Sequence, residues 1–239
     1  NFFSKYYKFL RNARGGRGLI LELGCGVGQV ANKLGEEGIE AVGIDVSPVG
    51  VRIAHESRSS GSVVSFIVAS GYSLPFRDDV FRTVGCMNVL EHLQDPEACV
   101  SEMIRVGYER IVIMCPNLMC PVYGRSLPEK LSKARKLFVS TVRGGKDHAF
   151  EHARPVMGEK GRTVGRDLDA VTITSPGNLR ALLEANGIEI TYQSSYLGTR
   201  GIIEGVAVLP LFRSIGGGVF LEGTVRKKRA KGAPGTVKA

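Results

Sequence analysis

No stretch of this 239-residue chain is apolar for long enough to cross a bilayer as a helix, and residues 1–18 carry no leader pattern of a charged start followed by an apolar run. Residue 1 is Asn rather than Met. The five cysteines, Cys25, Cys86, Cys99, Cys115 and Cys120, are odd in number, and no pair has zinc-knuckle spacing. That argues against a disulfide framework and against a cysteine-held zinc. It predicts buried free thiols in a reducing, cytoplasmic setting. The chain also lacks the aromatic-interleaved basic motif by which many proteins grip RNA.

Acidic residues are scarce in particular places. Residues 1–18 hold five bases and no acid, residues 125–166 carry a net +7, and residues 226–239 carry +6. Residues 19–124, in contrast, carry −6 within the whole-chain total of +9. The basic excess therefore belongs to the flanks and one middle segment, and the central unit is acidic.

That acidic unit opens on the run Leu19–Leu23, long enough for one buried strand. Gly24, Gly26 and Gly28 follow at alternate positions, and then Val30, Ala31 and Leu34 recur at helical spacing. Strand, glycine loop and helix let backbone approach a nucleotide closely. The dinucleotide fingerprint needs a further glycine or alanine where this chain has Gln29. Glu22, just before the loop, would repel a pyrophosphate and suit a cationic ligand. Both points disfavour a nicotinamide-dependent oxidoreductase.

The acid-x-Gly-x-Gly-x-Gly spacing resembles motif I of the class I S-adenosylmethionine-dependent methyltransferases. The resemblance continues along the chain. Residues 39–45 read as a second strand ending in Asp45, whose carboxylate is expected to accept from ribose hydroxyls, with Val46 beside the adenine. Ser47-Pro48 marks a helix start, with Val49, Ile53 and Ala54 as its apolar face. After a strand at 63–68, Leu74-Pro75-Phe76 is similar to a segment of the type 11 members, which include ubiquinone and menaquinone biosynthesis enzymes. Where many of them carry an aspartate facing adenine, this chain has Ser70, and the backbone at Ser70 and Gly71 is expected to take over. Arg82 stands where the family commonly has aspartate. Asn88-Val-Leu-Glu-His-Leu93, after a strand at 80–87, matches the family's leucine-glutamate-histidine-leucine signature.

The resemblance implies an α/β, Rossmann-like class I methyltransferase fold. Its seven-stranded sheet is mostly parallel with the last strand antiparallel, helices cover both faces, and a small helical or loop cap is added. It implies S-adenosyl-L-methionine as cofactor. The expected contacts are Glu22, Gly24, Cys25, Gly26, Asp45, Val46, Ser70, Gly71, Asn88 and Val89. His92 is the candidate base for a hydroxyl or amine nucleophile, or else a histidine that only shapes the pocket. No metal is expected: His148, Glu151 and His152 would form a ligand set only on a helix.

A single domain over residues 1–227 is expected, with a cap from 1–18 and 118–170 and a disordered basic tail at 228–239. Residues 2–13 predict a helix that either docks on the domain or covers the site. Residues 127–139 predict an amphipathic helix with Leu127, Leu131 and Phe138 inside, and residues 202–215 a packed helix. The two basic segments flank the substrate side in similar proteins, and that favours a small anionic substrate over nucleic acid or an acidic membrane surface. The alternatives are a methyltransferase-like protein that binds the cofactor without turnover, and an RNA methyltransferase.

Overall fold

The computed structural model describes residues 2–11, 18–118, 120, 127–142, 170–172, 174–196 and 218–225. Seven strands form one sheet: β1 (Ile20–Leu23), β2 (Ala41–Asp45), β3 (Val64–Val68), β4 (Phe81–Met87), β5 (Gly107–Pro116), β6 (Ile188–Tyr196) and β7 (Gly218–Val225). Their order is β3-β2-β1-β4-β5-β7-β6. β1 to β5 run parallel, and β7 inserts antiparallel between β5 and β6. The expected topology is the one observed.

Alternation along the strands divides the core in two. Leu21, Leu23, Val84, Ile111 and Ile113 join one cluster, with Cys99, Val100 and Met103 of α4 (Pro96–Val106) and Leu179, Leu182 and Leu183 of α6 (Pro176–Ala185). Ile20, Val112, Met114 and Phe220 point the other way. They pack on Tyr6 and Leu10 of α1 (Phe2–Arg11) and on Val30, Ala31 and Leu34 of α2 (Gln29–Glu36). The five cysteines are buried and free, as their spacing predicted.

The helix starts follow their punctuation. Ser47 caps α3 (Pro48–Glu56) by accepting from Gly50 N at 3.1 Å, and Asp95 caps α4 by accepting from Ala98 N at 2.9 Å. Ser175 and Asn178 form a reciprocal capping box at the start of α6. α1 is a docked helix. Tyr6 and Leu10 are fully buried against the sheet, where a Cβ on Gly85 would meet Leu10 Cδ2 at 2.5 Å and the Tyr6 hydroxyl at 2.7 Å.

Two expected faces are corrected. The buried face of α3 is Gly50, Val51 and Ala54, and Val49 and Ile53 are exposed. The rotation follows from close packing of helix on loop, because Gly50 lies against the carbonyl of Gly26, 3.1 Å from where its Cβ would be. In α5 (Leu127–Val142), Leu127 and Leu131 face solvent rather than the interior. The expected helix at 202–215, the tail at 228–239 and the His148–His152 group lie outside the described residues.

Candidate active site

The carboxyl ends of β1 and β4 flank the point where the chain reverses its direction of progress across the sheet, which is where open α/β sheets leave a crevice. The backbone leaves β1 through Gly24 at φ 72°, and the N–H groups of Gly24 and Cys25 both donate to Ile44 O, at 2.8 and 2.9 Å. Only glycine fits there, because a Cβ would lie 2.3 Å from Val89 Cγ2.

Asp45 ends β2 and ties two neighbours together. Its Oδ2 accepts from Gly26 N at 2.8 Å and its Oδ1 accepts from Ser47 N at 2.9 Å. The carboxylate thus fixes the glycine loop and the start of α3 at once. On the opposite side, Asn88 directly follows β4 and adopts the left-handed region at φ 54° while its N–H donates to Met114 O at 2.8 Å. Asn tolerates that conformation better than most side-chain-bearing residues.

Between these loops lies a crevice of about 300 Å³, at the lower end of the range for small-molecule sites. Gly24, Asp45, Val46, Gly71, Asn88 and Val89 line it, and so does His92. Leu23, Ile44, Ala69 and Leu93 complete the wall without having been singled out in the sequence. Their signal was present: Leu23 and Ile44 lie at or beside the carboxyl ends of their strands, where such crevices form, and Ala69 directly follows β3.

Four expected contacts are placed differently. Cys25 and Gly26 belong to the loop but not to the wall, and burial pushes the Cys25 thiol well up from its ordinary value. The Ser70 hydroxyl accepts from Tyr72 N at 3.2 Å, closing a local turn outside the wall. Glu22 is 3% exposed and lies on the α1–α2 side of β1. Its Oε2 accepts from Ala31 N at 2.9 Å. α2 begins after Gly28 with no side-chain cap of its own, so Glu22 supplies one from the strand. Burial pushes its carboxyl up to about 8; the Ala31 N–H pulls it down and the Asp45 charge pushes it further up. Near neutral pH it is therefore mostly protonated, and Asp45 supplies the negative charge at the crevice.

His92 ends the short 3₁₀ turn Leu90–His92, with its side chain 30% exposed and Nε2 3.8 Å from Glu91 Oε1. Glu91 is fully buried, and its backbone carbonyl accepts from Val171 and Thr172 N–H. Among the described residues, no group of His, Cys, Asp and Glu is assembled to hold a metal.

The segment carrying Gly71 is held from behind. Arg105 of α4 donates to Leu74 O and Phe76 O at 3.0 and 2.8 Å and pairs with Glu102 and Asp78. Glu102 Oε2 accepts from Leu74 N at 2.7 Å, and the Arg105 guanidinium holds the Glu102 carboxyl below its usual value. Phe76 stands edge-on to Phe81 at 4.8 Å. The Leu-Pro-Phe signature is thus a packed buttress. Arg82 lies at the other end of the sheet, where its guanidinium makes two hydrogen bonds to Glu109, at 2.8 and 2.9 Å. A basic residue for an acidic one is there answered by its neighbour and does not reach the crevice.

Residues 21–109 match the Methyltransferase domain family. That segment holds the glycine loop, Asp45 and Asn88, and over it the chain is similar to methyltransferase domains. It is similar to norajmaline N-methyltransferase of Rauvolfia serpentina, 36% identical over 37% of this chain and 32% of that protein. It is similar also to the chloroplastic tocopherol O-methyltransferase of Arabidopsis thaliana, 34% identical over 40% of this chain and 29% of that protein. These matches span about a third of each relative's length. Among solved structures, magnesium protoporphyrin IX methyltransferase from Synechocystis PCC 6803, with bound S-adenosylmethionine, has the same fold. Its TM-score is 0.56 at 16% identity, over 93% of this chain and 77% of that one.

Proposed function

We propose that the crevice binds S-adenosylmethionine and that the protein moves its methyl group to an oxygen, nitrogen or carbon nucleophile of a small anionic molecule. The observation that carries this reading is Asp45. A carboxylate on the crevice wall, braced by two backbone N–H groups, keeps unused lone pairs for a vicinal diol such as a ribose. The residues fit the group in other respects too. Val46, 69% exposed at the rim, offers a flat apolar edge to a purine. Gly71 offers backbone in place of the missing acid at Ser70. Gly24, Asn88 and Val89 border the end where an amino-acid moiety would lie.

When bound, the sulfonium supplies an electrophilic methyl and a neutral leaving group. The chain's own task is alignment and exclusion of water. The apolar walls Leu23, Ile44, Ala69 and Leu93 keep the site dry, and the His92 imidazole at its edge takes the proton that an attacking hydroxyl or amine releases. The relatives' names include both an N- and an O-methyltransferase, so the acceptor atom is left as a class. The basic segments at 1–18 and 125–166 favour an anionic acceptor. Incubation with methyl-labelled donor and fractionated metabolites or RNA tests this. Label in a small acidic compound is the expected result. Label only in RNA, or only in a cationic or strongly apolar compound, contradicts the substrate reading.

A further inference from the structure

α5 carries apolar side chains where a soluble helix would hide them. Leu127 is 70% exposed and Leu131 61% exposed, and Ala134 is exposed on the same stripe, since positions four and seven residues apart share a helix face. Bases flank that stripe. At 100° per residue, Lys130 falls about 70° to one side of the stripe's centre and Arg135 about 70° to the other, both exposed, with Lys133 and Lys136 further round. Glu129 is the one acid in the sixteen-residue helix, and it pairs with Lys133 at 3.6 Å. The helix is too polar to span a bilayer: no helix among the described residues is long and apolar enough to cross one.

An apolar stripe bordered on both sides by long basic side chains suits one environment in particular. Leucines enter the acyl boundary, while Lys and Arg lie along it and reach their charges up to the headgroups. A nucleic acid would pair with the charges but gain nothing from the leucines. We propose that α5 lies on membrane surfaces bearing anionic lipid headgroups, with Leu127 and Leu131 inserted and Lys130 and Arg135 at headgroup level. None of these α5 residues lines the crevice, and the proposal does not depend on what the crevice binds.

Sedimentation of the full chain with vesicles tests it. Binding to phosphatidylcholine vesicles containing phosphatidylglycerol, and much weaker binding to phosphatidylcholine alone, is expected. The double variant Leu127→Ser/Leu131→Ser should bind the anionic vesicles at least about tenfold more weakly. Lys130→Gln/Arg135→Gln should weaken binding and flatten its salt dependence. Because the four side chains are exposed, thermal melting of both variants should match the parent, which separates lost docking from lost folding. Equal binding to neutral vesicles, no binding to either, or anionic binding untouched by the leucine substitutions overturns the proposal. So does RNA binding by the parent in place of vesicle binding.

Discussion

A carboxyl group in the wrong surroundings changes its chemistry, and Glu22 shows how far that can go. The sequence places an acid before a glycine loop, and its charge was expected to face a cationic ligand. The fold instead buries it beneath the loop as the cap of α2 and pushes its carboxyl up to about 8. Unfolding returns it to the ordinary value near 4.5, so the unfolded chain gives up a proton between the two. This contribution to stability is therefore complete below about 4.5, falls as pH rises toward 8, and is gone above that. Glu22→Gln keeps an acceptor for Ala31 N and removes the titration. Its melting temperature should lose much of the parent's decline between those pH values, and its affinity for S-adenosylhomocysteine should stay close to the parent's. Asp45→Asn, in contrast, should weaken that affinity roughly 10- to 100-fold, as for loss of a charge-assisted hydrogen bond. Equal effects of the two substitutions would contradict the division of labour drawn here.

At the scale of elements, most of what was legible in the sequence was punctuation. Ser47-Pro48, Asp95-Pro96 and Ser175-Pro176 each begin the helix they announce, because a side-chain oxygen before a proline meets the free N–H groups of the first turn. The strands were legible as short apolar runs. Helix faces were harder to read: α3 turns Val49 and Ile53 outward because Gly50, with no Cβ, allows the closer approach to the loop. Periodicity identifies an apolar face but not what it meets, and so Leu127 and Leu131 were expected inside. The brace behind residues 74–78 was not legible at all, because Arg105 and Glu102 come from a helix some thirty residues further on. Arg105→Ala should destabilise the fold by about 2 kcal/mol, the range for hydrogen bonds to a charged group, and should loosen amide protection in residues 71–78. Amide exchange with mass-spectrometric readout checks both. Unchanged protection in that segment would remove the brace from the account.

Across the whole molecule, the seven-stranded order and its single antiparallel insertion follow from the alternation of strand and helix patterns. That order puts the ends of β1, β2 and β4 side by side, although Leu23 and Met87 are 64 positions apart in sequence. Glycine loop, Asp45 and Asn88 are therefore one site only because the sheet makes them so. The wall residues Leu23, Ile44, Ala69 and Leu93 escaped notice because aliphatic side chains look alike in sequence whether they fill a core or line a crevice. The whole account rests on that crevice taking a nucleoside bearing a sulfur-linked amino acid. Calorimetric titration of the full chain with S-adenosylhomocysteine measures it directly. The expected result is saturable binding of about one molecule per chain with micromolar affinity, lost or strongly weakened in Asp45→Asn. No heat of binding at millimolar ligand, or binding indifferent to Asp45, would contradict it.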